Sequence, residues 1–256
     1  MRTAIISDIH GNLEALNVVL ADIDRQGIER IVCLGDVLGY GPNPVECVDL
    51  VAERCEWCLM GNHDFAVLYE PKNFNLAAQE AAFWTRAMFE AETDAGRAAR
   101  RWEFLGRLRV RLLEREFLCV HGTPRKPINE YLFPEDAVNS PAKMQMIFDR
   151  IERLCLVGHT HVPGVFTLDA NQADFYPPGE LDGVYQINSG EKAIINPGSV
   201  GQPRDLDPRS SYAILDHEKN TITFIRLPYD VESVVAKIKA IPELSDWLGE
   251  RLREGR

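Results

Sequence analysis

Apolar positions in the first sixty residues switch between two spacings. Thr3 to Ser7 is a short apolar run of strand length, and Asn12 to Gln26 then places Leu13, Leu16, Val19, Leu20 and Ile23 on one helical stripe. Ile31 to Leu34 reads as a second strand, Pro44 to Glu53 as a second helix with proline in its first turn, and Cys58 to Met60 as the end of a third strand. Such a β-α-β-α-β succession predicts parallel pairing, with helices packed on the sheet. Between Phe65 and Arg107 the strand signal disappears. Two Ala-rich stretches, LAAQEAAFWTRAMFEAE and AGRAARRWEFLGRL, keep helical spacing and predict a helical cap inserted at about residues 65–107.

Strands resume at Val110 to Leu113 and Phe117 to Val120. More follow at Leu154 to Val157, Val165 to Leu168, Val184 to Ile187, Ala193 to Ile195, Tyr212 to Asp216 and Thr221 to Arg226. Val231 to Leu252 is helical and split at Pro242. So many strands around an initial β-α-β-α-β unit predict an α/β fold of two packed, mostly mixed β-sheets flanked by helices, a four-layer αββα sandwich. Residues 1–256 are expected to form one domain, with the helical cap as its insertion.

Composition narrows the function classes. Lys and Arg total 28 against 39 Asp and Glu, a formal net charge of −11, which argues against a nucleic-acid partner because phosphate backbones are bound by clustered cations. Met1 to Ile6 is too short for a signal-peptide core, and no apolar run approaches the roughly 18 residues of a membrane span; a cytoplasmic protein with no membrane attachment is expected. Cys33, Cys119 and Cys155 lie in apolar runs as reduced core residues. Cys55 and Cys58 form a C-x-x-C, but no second pair exists to complete a structural zinc site.

The candidate chemistry sits where strands end. AIISDIHGN offers Asp8 and His10, IVCLGD offers Asp36, and CLMGNHD offers Asn62, His63 and Asp64. FLCVHG adds His121, and LCLVGHTH adds His159 and His161. Five of the six histidines lie in these turns; His217, after a probable strand, reads as a hairpin residue. Carboxyl ends of strands line the ligand crevice of an open α/β sheet, so the five turns are expected to converge. Side chains at i and i+2 of an extended segment point the same way, which makes Asp8/His10 and His159/His161 two-pronged units. Imidazole mixed with carboxylate and amide suits Mn, Fe or Zn better than Ca, and the lack of thiolates argues against a closed zinc site.

The ordered set D-x-H, G-D, G-N-H-D, a strand-end His and G-H-x-H, spanning residues 8 to 161, resembles the calcineurin-like metallophosphoesterase superfamily. The segments FNLAAQEAAFWTRAMF, VHGTP, INEYL, INPGSVGQPRD and LPYDVE extend the resemblance over nearly the whole chain, toward the small bacterial and archaeal branch grouped with diadenosine tetraphosphatases and serine/threonine protein phosphatases. The resemblance implies two divalent ions, one held by Asp8, His10, Asp36 and His161. The other would be held by Asp36, Asn62, His121 and His159, with Asp36 as the bridge. It further implies His63 as the group facing substrate and Asp64 as the residue that orients or polarises it. Two such ions lower the pKa of a bridging water, and in-line attack then needs a proton for the leaving alkoxide, which His63 is suited to deliver.

Three more residues are candidate substrate contacts: Asn12, which also suits the N-cap of the first helix; Arg204, whose alternative is a pair with Asp205; and Tyr40. A small phosphorylated substrate, nucleotide or phosphoprotein, is expected. The rival is a non-catalytic scaffold of the same fold, disfavoured because His63 and every ligand position are present. Neither the preferred ester nor the oligomeric state is legible.

Overall fold

In chain order the elements of the computed structural model, which describes residues 1–170 and 172–256, are β1 (Arg2–Ile6), α1 (Leu13–Arg25), β2 (Arg30–Cys33), α2 (Pro44–Arg54), β3 (Trp57–Cys58), α3 (Asn62–Leu68), α4 (Leu76–Glu90) and α5 (Ala95–Gly106). There follow β4 (Arg111–Glu114), β5 (Phe117–Val120), α6 (Asp136–Asn139), α7 (Pro141–Phe148), β6 (Leu154–Leu156), β7 (Gly164–Asp169) and β8 (Gln172–Tyr176). The chain ends with β9 (Val184–Gln186), β10 (Ala193–Asn196), β11 (Ser210–Asp216), β12 (Thr221–Leu227), α8 (Val231–Lys239) and α9 (Asp246–Glu250).

The strands form two six-stranded sheets, ordered β3-β2-β1-β11-β12-β9 and β4-β5-β6-β10-β7-β8. Both are mixed. β1, β2 and β3 run parallel, whereas β11 joins β1 antiparallel, pairing Arg2 with Asp216 and Ile5 with Ala213. In the second sheet β5, β6 and β10 are parallel, and β4 and β7 flank them antiparallel. The expected α/β architecture of two packed sheets with helices outside is what the chain adopts.

Period-two alternation sorts the strand residues into layers. Ile5, Phe117, Cys119, Ala193, Ile195, Ala213 and Leu215 point into the space between the sheets. Their neighbours Ala4, Ile6 and Ile214 point outward, under the stripe of α1 and residues of α2 to α5. On the other sheet Leu118, Val120 and Ile194 lie beneath α6 and α7. The helices between Phe65 and Arg107 thus continue the outer layer of the first sheet: Ala82, Phe89 and Leu105 pack with Val48 and Val51 of α2. A fourth apolar cluster joins α8, α9 and Leu252 to α4 and to the ring of Tyr40.

Three elements lie outside the strands and helices expected from the sequence: β8, an edge strand whose run QADFY is half polar, and the short helices α6 and α7. His217 lies in the turn between β11 and β12, its Nε2 3.2 Å from Thr3 Oγ1. All six cysteines are free, and no helix among the described residues is long and apolar enough to cross a membrane.

Ile195 is fully buried where the two sheets meet. Ile195→Ala is expected to lower unfolding stability by about 2–5 kcal/mol through lost burial and the cavity left behind, as read by urea denaturation.

Candidate metal centre and active site

The five strand-end turns meet at the carboxyl edge of both sheets. Asp8 follows β1, Asp36 follows β2, Asn62 and His63 open α3 after β3, His121 follows β5, and His159 and His161 follow β6. Main-chain bonds knit these turns together: Ile9 and His10 both donate N–H to Asp36 O, at 2.8 and 3.0 Å, and Gly158 N donates to His121 O at 2.8 Å. The sheets are also tied through side chains. His159 N–H lies 3.1 Å from Asp8 Oδ2, and Ser199 Oγ donates to Asp8 O at 2.7 Å. Asp8, His10, Asp36, His159 and His161 all have positive φ, between 49° and 67°. Five non-glycine residues in that sparsely populated region, all at one spot, mark a site whose geometry is held against local preference.

Asp8, His10 and His161 form one group able to hold a cation, and Asp36, His121 and His159 form another. The ligand atoms within each group lie within 4.8 Å of one another; His10 and His63 also group with Asp36. His161 Nε2 is 3.3 Å from Asp8 Oδ1, and His121 Nε2 is 3.2 Å from Asp36 Oδ2. Every one of these residues is buried, as is Asn62.

The residues fit divalent ions on three grounds. First, the Nδ1 atoms of His10, His121 and His161 face the main-chain carbonyls of Leu38, Leu34 and Gln202 at 2.9, 2.9 and 2.5 Å. A carbonyl only accepts, so each ring keeps a proton on Nδ1 and turns Nε2 inward, the arrangement that orients a metal-ligating imidazole. Second, the Nε2 atoms of His10 and His161 are only 3.2 Å apart. Two lone pairs so close require a positive charge between them, and burial pushes both rings below the ordinary histidine range, which disfavours a proton there. Third, Asn62 Oδ1 and His159 Nε2 are buried without a hydrogen-bond partner. Orphaned acceptors in one buried cluster are costly unless a cation satisfies them.

Charge within the cluster is balanced internally. Burial alone would raise Asp8 and Asp36, but His161 and His121 beside the first, and His121 and His63 beside the second, hold both carboxyls well below their usual range. His121 runs the other way: burial disfavours its charge, yet Asp36 and Asp8 raise it to about 10. His159 and His63 are pushed down by burial, to about 3 and about 4.

The remaining candidates divide. Tyr40 does reach the site, its ring 4.8 Å from His10 and 4.3 Å from His63. Arg204 is not paired with Asp205, which binds Arg226 instead; its guanidinium donates to Gln202 Oε1 at 2.7 Å and sits 5.8 Å from the Tyr40 ring. Asn12 serves as the helix cap: its Oδ1 accepts from Ala15 N at 3.1 Å at the start of α1, and its Nδ2 donates to Gly201 O at 2.8 Å. Asp64 turns its carboxylate to the main chain and makes no hydrogen bond to the His63 ring among the described residues. Its carboxylate accepts N–H bonds from Asp36 at 2.8 Å, Gly61 at 3.0 Å and Leu38 at 3.1 Å, and thereby shapes the turn that carries Asp36.

Sequence reasoning missed a set of residues around the opening. Tyr131 stacks on the His159 ring at 3.8 Å and on Phe133 at 5.2 Å, and Phe74 lies 4.6 Å from His63. A pocket beside His63 and His159 is lined by Tyr40, Phe74, Tyr131, Lys72 and Asn129. INEYL had been noticed as a string, but nothing local in it signals which histidine its tyrosine covers.

The model of the calcineurin-like phosphoesterase superfamily domain matches residues 1–220. An uncharacterized protein of Methanocaldococcus jannaschii is 38% identical over 260 residues, covering 99% of this chain and 98% of its own. The crystal structure of a metallophosphoesterase from Sphaerobacter thermophilus superposes with a TM-score of 0.84 at 36% identity, over 100% of this chain and 99% of that one. A hypothetical protein from Pyrococcus horikoshii shares the fold at a TM-score of 0.75 and 18% identity, over 100% and 98% of the two chains.

Because Asp64 supports the Asp36 turn through three backbone donors, Asp64→Asn turns an amide NH₂ toward at least one of them. The variant is expected to lose about 1–3 kcal/mol of stability and to bind less than the wild-type complement of metal, checked by thermal unfolding and elemental analysis.

Proposed function

We propose that this chain, which belongs to the calcineurin-like phosphoesterase superfamily, hydrolyses phosphate monoesters or diesters at a centre of two divalent transition-metal ions, Mn, Fe or Zn. The observation that carries the reading is the pair of buried Asp/His groups, in one of which the inward His10 and His161 nitrogens face each other and in the other His159 Nε2 has no hydrogen-bond partner, with a further histidine, His63, at the border of the adjoining pocket. Asp8, His10, Asp36 and His161 would hold one ion, and Asp36, Asn62, His121 and His159 the other. Such ions supply positive charge for the phosphoryl oxygens and acidify water for attack at neutral pH.

The protein's own groups do the rest. His63 protonates the departing alkoxide. Burial and the charge of Arg204 keep its ring neutral before substrate arrives, and a phosphate beside it then favours the charged form. Arg204 is anchored by Gln202 near Tyr40 and offers a planar donor fork to a phosphoryl oxygen. The aromatic pocket takes the organic part of the ester, from a nucleotide or a phosphorylated protein side chain, while the acidic surface disfavours a nucleic-acid strand.

Mn-loaded protein is expected to hydrolyse members of a panel of aryl phosphates, nucleotides, phosphopeptides and phosphodiesters. Asp36→Ala and His63→Ala should each lower turnover at least about tenfold. A fully loaded wild-type protein inert against the whole panel would sink the hydrolytic reading. Arg204→Ala is expected to raise KM by about tenfold, the loss of one charge-assisted contact, in steady-state kinetics on whichever ester is turned over.

A further inference from the structure

His63 is held differently from the other rings of the site. His10, His121 and His161 are each pinned through Nδ1 to a carbonyl, whereas His63 Nδ1 is buried with no hydrogen-bond partner. Its neighbour Asp64 has given its carboxylate to three backbone amides. The His10 ring meets it edge-on at 4.9 Å, and two aromatic side chains pack against it. Tyr40 packs on it at 4.3 Å and 51°, and Phe74 at 4.6 Å and 44°. Gly39, at φ 83°, closes the Nδ1 edge: a β-carbon there would overlap the ring. Tyr40 itself has φ 61°, a left-handed conformation that is strained for a bulky residue. That strain places its ring between His10 and His63. The backbone of His63 is tied to the ligand cluster, its N–H donating to Asp36 Oδ1 at 2.8 Å. Only packing orients the imidazole.

We propose that Tyr40 and Phe74 are positioning residues, clamping the His63 ring in the orientation that presents Nε2 to the leaving group. The proposal rests on the reading of His63 as proton donor. Phe74 belongs to the segment just before α4 that lines the pocket together with Lys72, Asn73 and Asn75. One residue therefore touches both the space for the organic group and the ring that protonates it. Seating the ester against Phe74 loads the clamp, and an aromatic pair, unlike a hydrogen bond, fixes ring position without drawing the imidazole proton toward Nδ1.

The test uses full-length metal-loaded protein carrying Phe74→Ala or Phe74→Tyr, with metal content measured in each. Two esters of one phosphate class are compared: an alkyl ester, whose departure needs a proton, and a p-nitrophenyl ester, whose departure does not. For Phe74→Ala the clamp predicts a fall in kcat of at least about tenfold on the alkyl ester and less than about threefold on the nitrophenyl ester, whatever common rise in KM follows from the lost pocket wall. Phe74→Tyr, which keeps a ring there, should behave as wild type on both. A crystal structure of Phe74→Ala should show the His63 ring turned away, with Asp36 and His121 in place. Equal losses on the two esters, or a His63 ring left in its wild-type position, would overturn the proposal. If Phe74→Ala does not fold, Phe74→Leu is put through the same comparison. A wild-type protein inert on both esters, combined with a ring that turns in the variant, sinks the hydrolytic reading and leaves the clamp standing.

Discussion

Two buried carboxylates close together, Asp8 and Asp36, set the terms for the rest of the molecule. Each raises the other's proton affinity, and each is kept ionised by histidines brought in from distant turns. A cluster of this kind survives in a protein interior only if every charge meets an opposite charge, a donor or an ion. The architecture meets that condition by ending β1, β2 and β3 of one sheet and β5 and β6 of the other at a common edge. The sandwich core keeps the strands in register, and the register delivers the ligands. His159 N–H on Asp8 is the clearest instance, since it joins the two sheets through a side chain of the centre itself.

The protein concentrates its unfavourable features in the same place. Positive φ at five ligand residues and at Tyr40, bare nitrogens facing each other, and orphaned acceptors all lie within one small volume. The elements that frame the site follow local rules: α1 has an asparagine N-cap and an apolar stripe under which β1 and β2 lie, and Pro44 begins α2. Local rules broken together at one point, on a frame of this kind, are what a functional centre looks like in physical terms.

Much of this was legible in the chain because strand-end ligands are a local signal. An apolar run followed by Asp, His or Asn in a turn can be read residue by residue, and Phe117 to Val120 was placed to the residue. What escaped depends on distance in space. Asn12 and Asp64 carry residue types suited to substrate or catalysis, and only the structure shows their oxygens consumed by nearby amides. Phe74 and Tyr131 are ordinary loop aromatics until the fold lays them on His63 and His159. β8 was missed because an edge strand needs only alternate apolar residues, and QADFY supplies few. The alternative role of Arg204, a pair with Asp205, is closed off because Arg226 on strand β12 binds that carboxylate.

The pairing of β1 with β11 bears on how the chain comes together over time. Asp8 and His10 follow a strand that sits in mid-sheet, not at an edge. Its partner on one side is the nearby β2; on the other it is β11, with Arg2 opposite Asp216. Until β11 has emerged, β1 carries an open hydrogen-bonding edge, and until Ser199 has emerged nothing braces Asp8 from that side. Contacts of such long sequence separation form late and slowly. The centre is thus completed long after its first ligands are made, and a chain stalled before β11 would hold those ligands without the frame that makes them a site.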